Sequence, residues 1–381
     1  MRQNMLTLVA SLPLFLAACG DTAENNSTGG STSSSSASSS SSGMGGEGGS
    51  GGSGTGGSGT GGSAGAGTGG SGGGNLIDPT WVVDMKLPTP TQPAPGVNLY
   101  TDVAYGTDPK QKFDIVLPNS ATPTGLIIQI HGGGFVGGDK GTITNNEMQQ
   151  TVAKGVAYAS LNYRLLQNID KEGVIKPLSD CRRALQFIRY HAAELNLDAT
   201  RVALRGGSAG AGTSLWLGTH NDMAGTGDAV DKMSTRVLAV SANSTQATYD
   251  IGKWETVVFA EFNLNLLDTV KALGMEQTLA SFYGMDSVDQ LETPAILAYR
   301  KEVDMLQLMS ADDPPIWVHN PLPGTAAPMN TGELYHHGAH AKAVKAQATA
   351  AGIPVIAVIE AYSVDESNGQ TEWDFLNGKL K

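Results

Sequence analysis

The sequence predicts an α/β domain built on a mostly parallel, doubly wound sheet of about eight strands with a helical cap insertion. Three observations predict it. Short apolar runs without alternation recur along the chain, helical patterns lie between them, and one long segment between two runs carries helical patterns only. Runs without alternation mark strands covered on both faces. Strands that alternate with helices imply βαβ units and parallel pairing.

In chain order, a proline-rich arm from 79 to 95 is expected to lie along the core as extended chain. Segments 99–105 and 111–117 alternate on either side of a Gly106/Asp108-Pro109 turn and read as an antiparallel pair. Continuous apolar runs follow at 126–130, 156–161, 202–204, 237–240, 316–318 and 355–359. Between 180 and 194, Cys181, Ala184, Leu185, Ile188 and Ala192 recur at helical spacing; segments 211–217, 340–351 and 373–380 are also helical. The segment 244–309 holds helical patterns and no convincing strand. It is expected to cap the carboxyl ends of the strands, where such sheets bind ligands, with Trp254, Phe259, Phe262 and Phe282 as its core.

The folded part, 75–381, is about 300 residues and suits one large domain. Ahead of it, residues 20–74 are almost entirely Gly, Ser, Thr and Ala, and most of the chain's 50 glycines lie there. Such a stretch cannot bury apolar surface and reads as a flexible leash. Residues 1–18 carry one Arg and then an apolar run shorter than the roughly 20 residues of a membrane-spanning helix, so they read as an export signal. The run ends in Leu16-Ala17-Ala18-Cys19, which resembles the lipobox of bacterial lipoproteins. That resemblance implies cleavage before Cys19, a lipid on its sulfur, and a domain outside the cytoplasm at the cell envelope, the outer membrane being favoured because Gly20 follows. The other cysteine, Cys181, then has no intramolecular partner and is expected to be a buried apolar residue. A net charge of −12 and the lack of any basic run argue against nucleic acid as a partner.

The chemistry centres on Gly206-Gly207-Ser208-Ala209-Gly210, a G-x-S-x-G motif that directly follows one predicted strand and directly precedes a predicted helix. In that setting the glycines permit a sharp turn that thrusts Ser208 out at the top of the sheet. A second motif, His131-Gly132-Gly133-Gly134-Phe135, follows the strand at 126–130. A glycine run there lets backbone N–H groups approach an oxyanion, so Gly133, Gly134 and Ala209 are the expected donors. The same glycines scan as a dinucleotide fingerprint, but the next strand ends in Asn162-Tyr163-Arg164 without the acid that such a site needs. No cofactor is expected.

The order of His131 to Lys140, Asn162-Tyr163-Arg164, Asp180 to Ala184 and Gly206 to Gly210 resembles that of hormone-sensitive-lipase-like carboxylesterases and bacterial feruloyl-esterase-like proteins of the α/β-hydrolase fold. The resemblance covers about 99–381 and implies a serine carboxylesterase acting on a small-molecule ester, with His131 structural. In that family an acid follows the strand matching 316–318 and the catalytic histidine follows the last strand. Here the last strand runs into Glu360-Ala361-Tyr362-Ser363-Val364-Asp365, no histidine occurs after His340, and 321–332 contains no acid.

Three explanations stand. The roles are exchanged between the two loops, with His336 or His337 as base and Asp365 or Glu366 as its acid, since triads are recognised by geometry and not by chain order. Alternatively, catalysis is impaired and the fold serves as a binding module. Or His336 and His340, one helical turn apart, hold a metal.

Overall fold

The computed structural model describes residues 78–381. The segments expected to form an export signal, a lipidated Cys19 and a flexible leash therefore lie outside the described residues. Ten strands form one sheet: β1 (Thr91–Ala94), β2 (Val97–Ala104), β3 (Lys112–Leu117), β4 (Thr124–Ile130), β5 (Ala157–Leu161), β6 (Leu197–Gly207), β7 (Ala239–Asn243), β8 (Ile316–Asn320), β9 (Val355–Ile359) and β10 (Val364–Asp365). Their order is β1-β2-β3-β5-β4-β6-β7-β8-β9-β10. Pairing is antiparallel from β1 to β5, parallel from β5 through β9, and antiparallel again at β10.

The helices are α1 (Asn145–Gln150), α2 (Ile175–Tyr190), α3 (Ala209–Thr219), α4 (Ile251–Lys253), α5 (Leu266–Ala272), α6 (Glu276–Phe282), α7 (Pro294–Glu302), α8 (Met305–Leu308), α9 (Thr331–His336), α10 (Gly338–Ala351) and α11 (Glu372–Lys379). The unalternating strands β4, β5, β7 and β8 are buried on both faces, as expected, and β9 is partly buried. Leu126, Ile128 and Ile130 of β4 join the core shared with α2, α3 and α10, whereas Ile127 faces the other core with Phe375 and Leu376 of α11. Apolar burial of this kind contributes about 25 cal/mol per Å².

The two strands beyond the expected eight sit at the edges. β1 comes from the proline-rich arm; its residues are exposed and Pro93 lies where no neighbour needs its missing N–H. β10 forms because Ser363 adopts φ 51° and turns the chain back along β9. Helix α2 starts five residues before the expected 180. Pro177 lies in its first turn, where backbone N–H groups have no intrahelical acceptor and proline is tolerated.

Between β7 and β8 the chain forms α4 to α8 and short irregular turns with no strand, matching the helical patterns expected there. Trp254 and Phe259 are buried, and both rings contact His340 edge-on. Cys181 is a buried free thiol. No described helix is long and apolar enough to cross a membrane.

Candidate active site

Ser208 stands between β6 and α3 with φ 53° and ψ −121°, a backbone conformation that residues with side chains rarely adopt. The flanking glycines make this turn possible. A Cβ on Gly206 would lie 2.2 Å from the Gly210 carbonyl oxygen, and one on Gly210 would lie 2.0 Å from that of Ile130. Gly207 meets nothing within 4 Å. The Ser208 N–H donates to the Asn243 carbonyl at 2.9 Å, which ties the elbow to the end of β7.

The glycine run after β4 lies against this elbow. A Cβ on Gly132 would approach the Gly207 carbonyl oxygen to 2.8 Å and Ser208 Cβ to 3.2 Å. Gly133 and Gly134 have φ of 101° and 60°. Among the described residues their N–H groups have no protein acceptor. Ala209 opens α3, where the N–H has no intrahelical partner. These three amides are thus free to receive a developing oxyanion. His131 is held elsewhere: it stacks on Tyr163 at 4.2 Å between centroids, and Tyr163 Oη donates to the His131 carbonyl.

The base position is filled by His336, the last residue of α9. Its Nε2 lies 2.7 Å from Ser208 Oγ. The backbone of Gly332 on the same turn is the only group that favours the protonated ring. With the proton on Nδ1, Nε2 accepts from the serine hydroxyl, which is the arrangement a general base needs. Burial lowers the pKa of His336 below its ordinary value, and only the Gly332 contact opposes it.

Two expected site residues are corrected by this geometry. His337 is not the base: its Nδ1 accepts from the Ala339 N–H at the start of α10, and its Nε2 bonds to the Ala326 carbonyl at 3.0 Å. One residue farther along a turn, its ring leaves on the other side of the helix end. Asp365 is not the acid. It lies in β10, exposed, and its carboxylate accepts from the Ser367 N–H. Glu366 pairs with Lys345 and with the Ala357 N–H. Among the described residues no carboxylate pairs with His336. Nor do His336 and His340 form a metal site. His340 is fully buried, with Nδ1 accepting from the Ala247 N–H and Nε2 bonded to the Leu334 carbonyl, so its ring nitrogens are taken.

Sequence reasoning missed the polar network beneath the elbow. Gln129, Arg205 and Ser241 are in register on β4, β6 and β7. Glu372, at the start of α11, bonds to Arg205 at 2.8 Å, to Ser241 at 2.6 Å and to Asn243 at 2.8 Å. Burial pushes the Glu372 carboxyl up, but Arg205 and these hydrogen bonds outweigh it and hold the group ionised. His319 belongs to this network through Asn243 at 3.2 Å. The signal available was Gln129, a polar residue interrupting an apolar run.

The BD-FAE family model matches residues 113–316, more than half of the chain, and so includes the oxyanion glycines and Ser208 but stops short of His336. A probable isoprenylcysteine alpha-carbonyl methylesterase of Arabidopsis thaliana is 28% identical over 112 residues, which cover 29% of this chain and 22% of that protein. The chain thus spans about a fifth of the length of this relative. Among solved structures, a truncated carbohydrate esterase from gut microbiota superposes with a TM-score of 0.53 at 16% identity, over 77% of this chain and 99% of that one. An acetyl ester-xyloside bifunctional hydrolase from Caldicellulosiruptor lactoaceticus gives a TM-score of 0.47 at 18% identity, over 70% and 85%. With its elbow, glycine run and sheet order in place, the chain belongs to the BD-FAE family, esterases of the α/β-hydrolase fold.

Proposed function

We propose that this protein hydrolyses carboxylic esters through an acyl-serine intermediate, with Ser208 as nucleophile and His336 as base. The observation that carries this reading is the 2.7 Å separation of Ser208 Oγ and His336 Nε2 beside three unengaged amides. Nε2 takes the hydroxyl proton as Oγ attacks the ester carbonyl. The N–H groups of Gly133, Gly134 and Ala209 receive the oxyanion, each such donor being worth roughly 10²–10³ in rate. The tetrahedral intermediate collapses, the alcohol leaves with the proton from Nε2, and water repeats the sequence on the acyl-enzyme. A neutral imidazole in the correct tautomer suffices for this cycle. The Gly332 carbonyl carries only a partial negative charge, so it stabilises the imidazolium less than a carboxylate would, and turnover is slower than that of a full triad. That cost falls on rate and leaves the chemistry intact, which favours an enzyme over a binding module.

The substrate is a small-molecule ester. The domain works at a cell envelope, held by a lipid on Cys19; the support for this is the lipobox-like Leu16-Ala17-Ala18-Cys19 and the leash behind it. The tests are direct. A phosphonofluoridate probe is expected to add one mass equivalent to wild type and none to Ser208→Ala, with p-nitrophenyl butyrate turnover lost in parallel. Equal turnover by both proteins would refute the mechanism. Radiolabelled palmitate is expected to enter the wild-type chain in bacterial cells and not Cys19→Ser; equal labelling of both would refute the anchor.

A further inference from the structure

The helix that carries His336 is one turn and a half long. A helix of six residues has too few internal hydrogen bonds to hold itself in water, and its last carbonyls have no intrahelical donor. Here these carbonyls are taken one by one. The Leu334 carbonyl accepts from His340 Nε2 at 3.0 Å, the Tyr335 carbonyl from Gln246 Nε2 at 2.8 Å, and the His336 carbonyl from Asn320 Nδ2 at 2.9 Å. The three donors come from different parts of the fold: α10, the segment after β7, and the last residue of β8. His340 and Asn320 are 0% exposed and Gln246 is 7% exposed. His340 also receives the Ala247 N–H, and Asn320 Oδ1 receives the Leu322 N–H, so these two donors are themselves fixed by a second bond. At the other end of the turn, Asn330 caps the Glu333 N–H.

We infer that Gln246, Asn320 and His340 are positioning residues for His336, gripping the main chain of the base-bearing turn in place of a carboxylate gripping the ring. This rests on the reading of His336 as the base. In a triad the acid orients the imidazole directly. Here no carboxylate among the described residues holds the ring, and the turn that carries it is held by three uncharged donors. Displacing a catalytic group by 1 Å can cost about a hundredfold in rate, so loosening any of the three contacts lowers the chemical step more than it changes substrate binding.

The test measures kcat and KM for p-nitrophenyl acetate on the full chain, well below each variant's melting midpoint, with active sites counted by folded fraction. Gln246→Leu and His340→Leu remove a donor; His340→Gln restores one donor and one acceptor. The expected result is a fall in kcat of about 10- to 100-fold for the leucine variants with KM within about threefold, and recovery of most of that loss in His340→Gln. If His340→Leu does not fold, Gln246→Leu, whose side chain keeps similar volume, carries the test. Unchanged kcat per folded molecule in Gln246→Leu overturns the inference even when His336→Ala abolishes turnover. Full turnover by His336→Ala overturns the underlying reading itself, so the two failures are distinct.

Discussion

His336 Nε2 stands 2.7 Å from Ser208 Oγ, and the one group that favours its protonated ring is the backbone of Gly332, four residues earlier on the same turn. That backbone contact is what this site has in place of the carboxylate of a Ser-His-Asp triad. For Nε2 to accept from Ser208 the proton must sit on Nδ1, the nitrogen turned away from the serine. What the Gly332 contact lacks is a full negative charge opposite the imidazolium.

The first consequence is a pH profile displaced to acid. Burial lowers the His336 pKa, and no neighbouring carboxylate raises it again. The neutral imidazole is the working form, so kcat/KM follows the deprotonated fraction in the free enzyme. Activity on a non-ionising ester is expected to persist as pH falls through about 6.5, the ordinary histidine value, and to drop only below it. An acid limb centred at 6.5 or higher would contradict the burial argument.

The elbow makes a second prediction about neighbouring glycines. Gly207→Ala meets open space and is expected to change stability by less than about 1 kcal/mol. Gly210→Ala drives a methyl group to within 2.0 Å of the Ile130 carbonyl oxygen, a backbone atom that cannot turn aside. Its cost is expected to be about 3 kcal/mol or more, seen as a lowered urea midpoint or as loss of soluble protein. Equal midpoints for the two variants would show that the turn is not so close.

How far the site was legible follows from how local each part is. Ser208 and the oxyanion glycines were readable because a strand before and a helix after give the motifs their meaning within a few residues. His336 and His337 could not be separated, since which ring faces the serine depends on where α9 ends and α10 begins. Asp365 was expected to face the site because its loop follows the last parallel strand. The turn at Ser363 sends it into an edge strand instead, and nothing in the residue types announces that turn. Gln246 and Asn320 act across 89 and 16 residues, where no periodicity reaches. The fold itself was legible because the central strands are covered on both faces, fully in β4, β5, β7 and β8 and partly in β6 and β9, which writes apolar runs. Edge strands β1 and β10, exposed or nearly so, write none.

A third prediction concerns acid stability. Complete burial pushes the His340 pKa down to about 3, with the Leu334 carbonyl opposing. In the unfolded chain the ring titrates near 6.5. Between those values the unfolded state binds a proton that the folded state does not, so stability falls as pH falls. The contribution is whole above about 6.5 and is lost progressively toward 3, in total on the order of 4–5 kcal/mol. Urea unfolding at pH 7, 5.5 and 4.5 is expected to show this slope in wild type and a shallower one in His340→Gln, which has no such proton to bind. Identical slopes would place the acid sensitivity elsewhere.

The most direct test of the account sets two adjacent histidines against each other. The measurement is kcat/KM for p-nitrophenyl acetate in His336→Ala and His337→Ala beside wild type. The predicted result is a loss of about 10³-fold or more for His336→Ala, and a change of no more than a few fold for His337→Ala, whose ring only caps α10 and holds the Ala326 carbonyl. Retained activity in His336→Ala, or equal losses in both, would contradict the assignment of His336 as the base that activates Ser208.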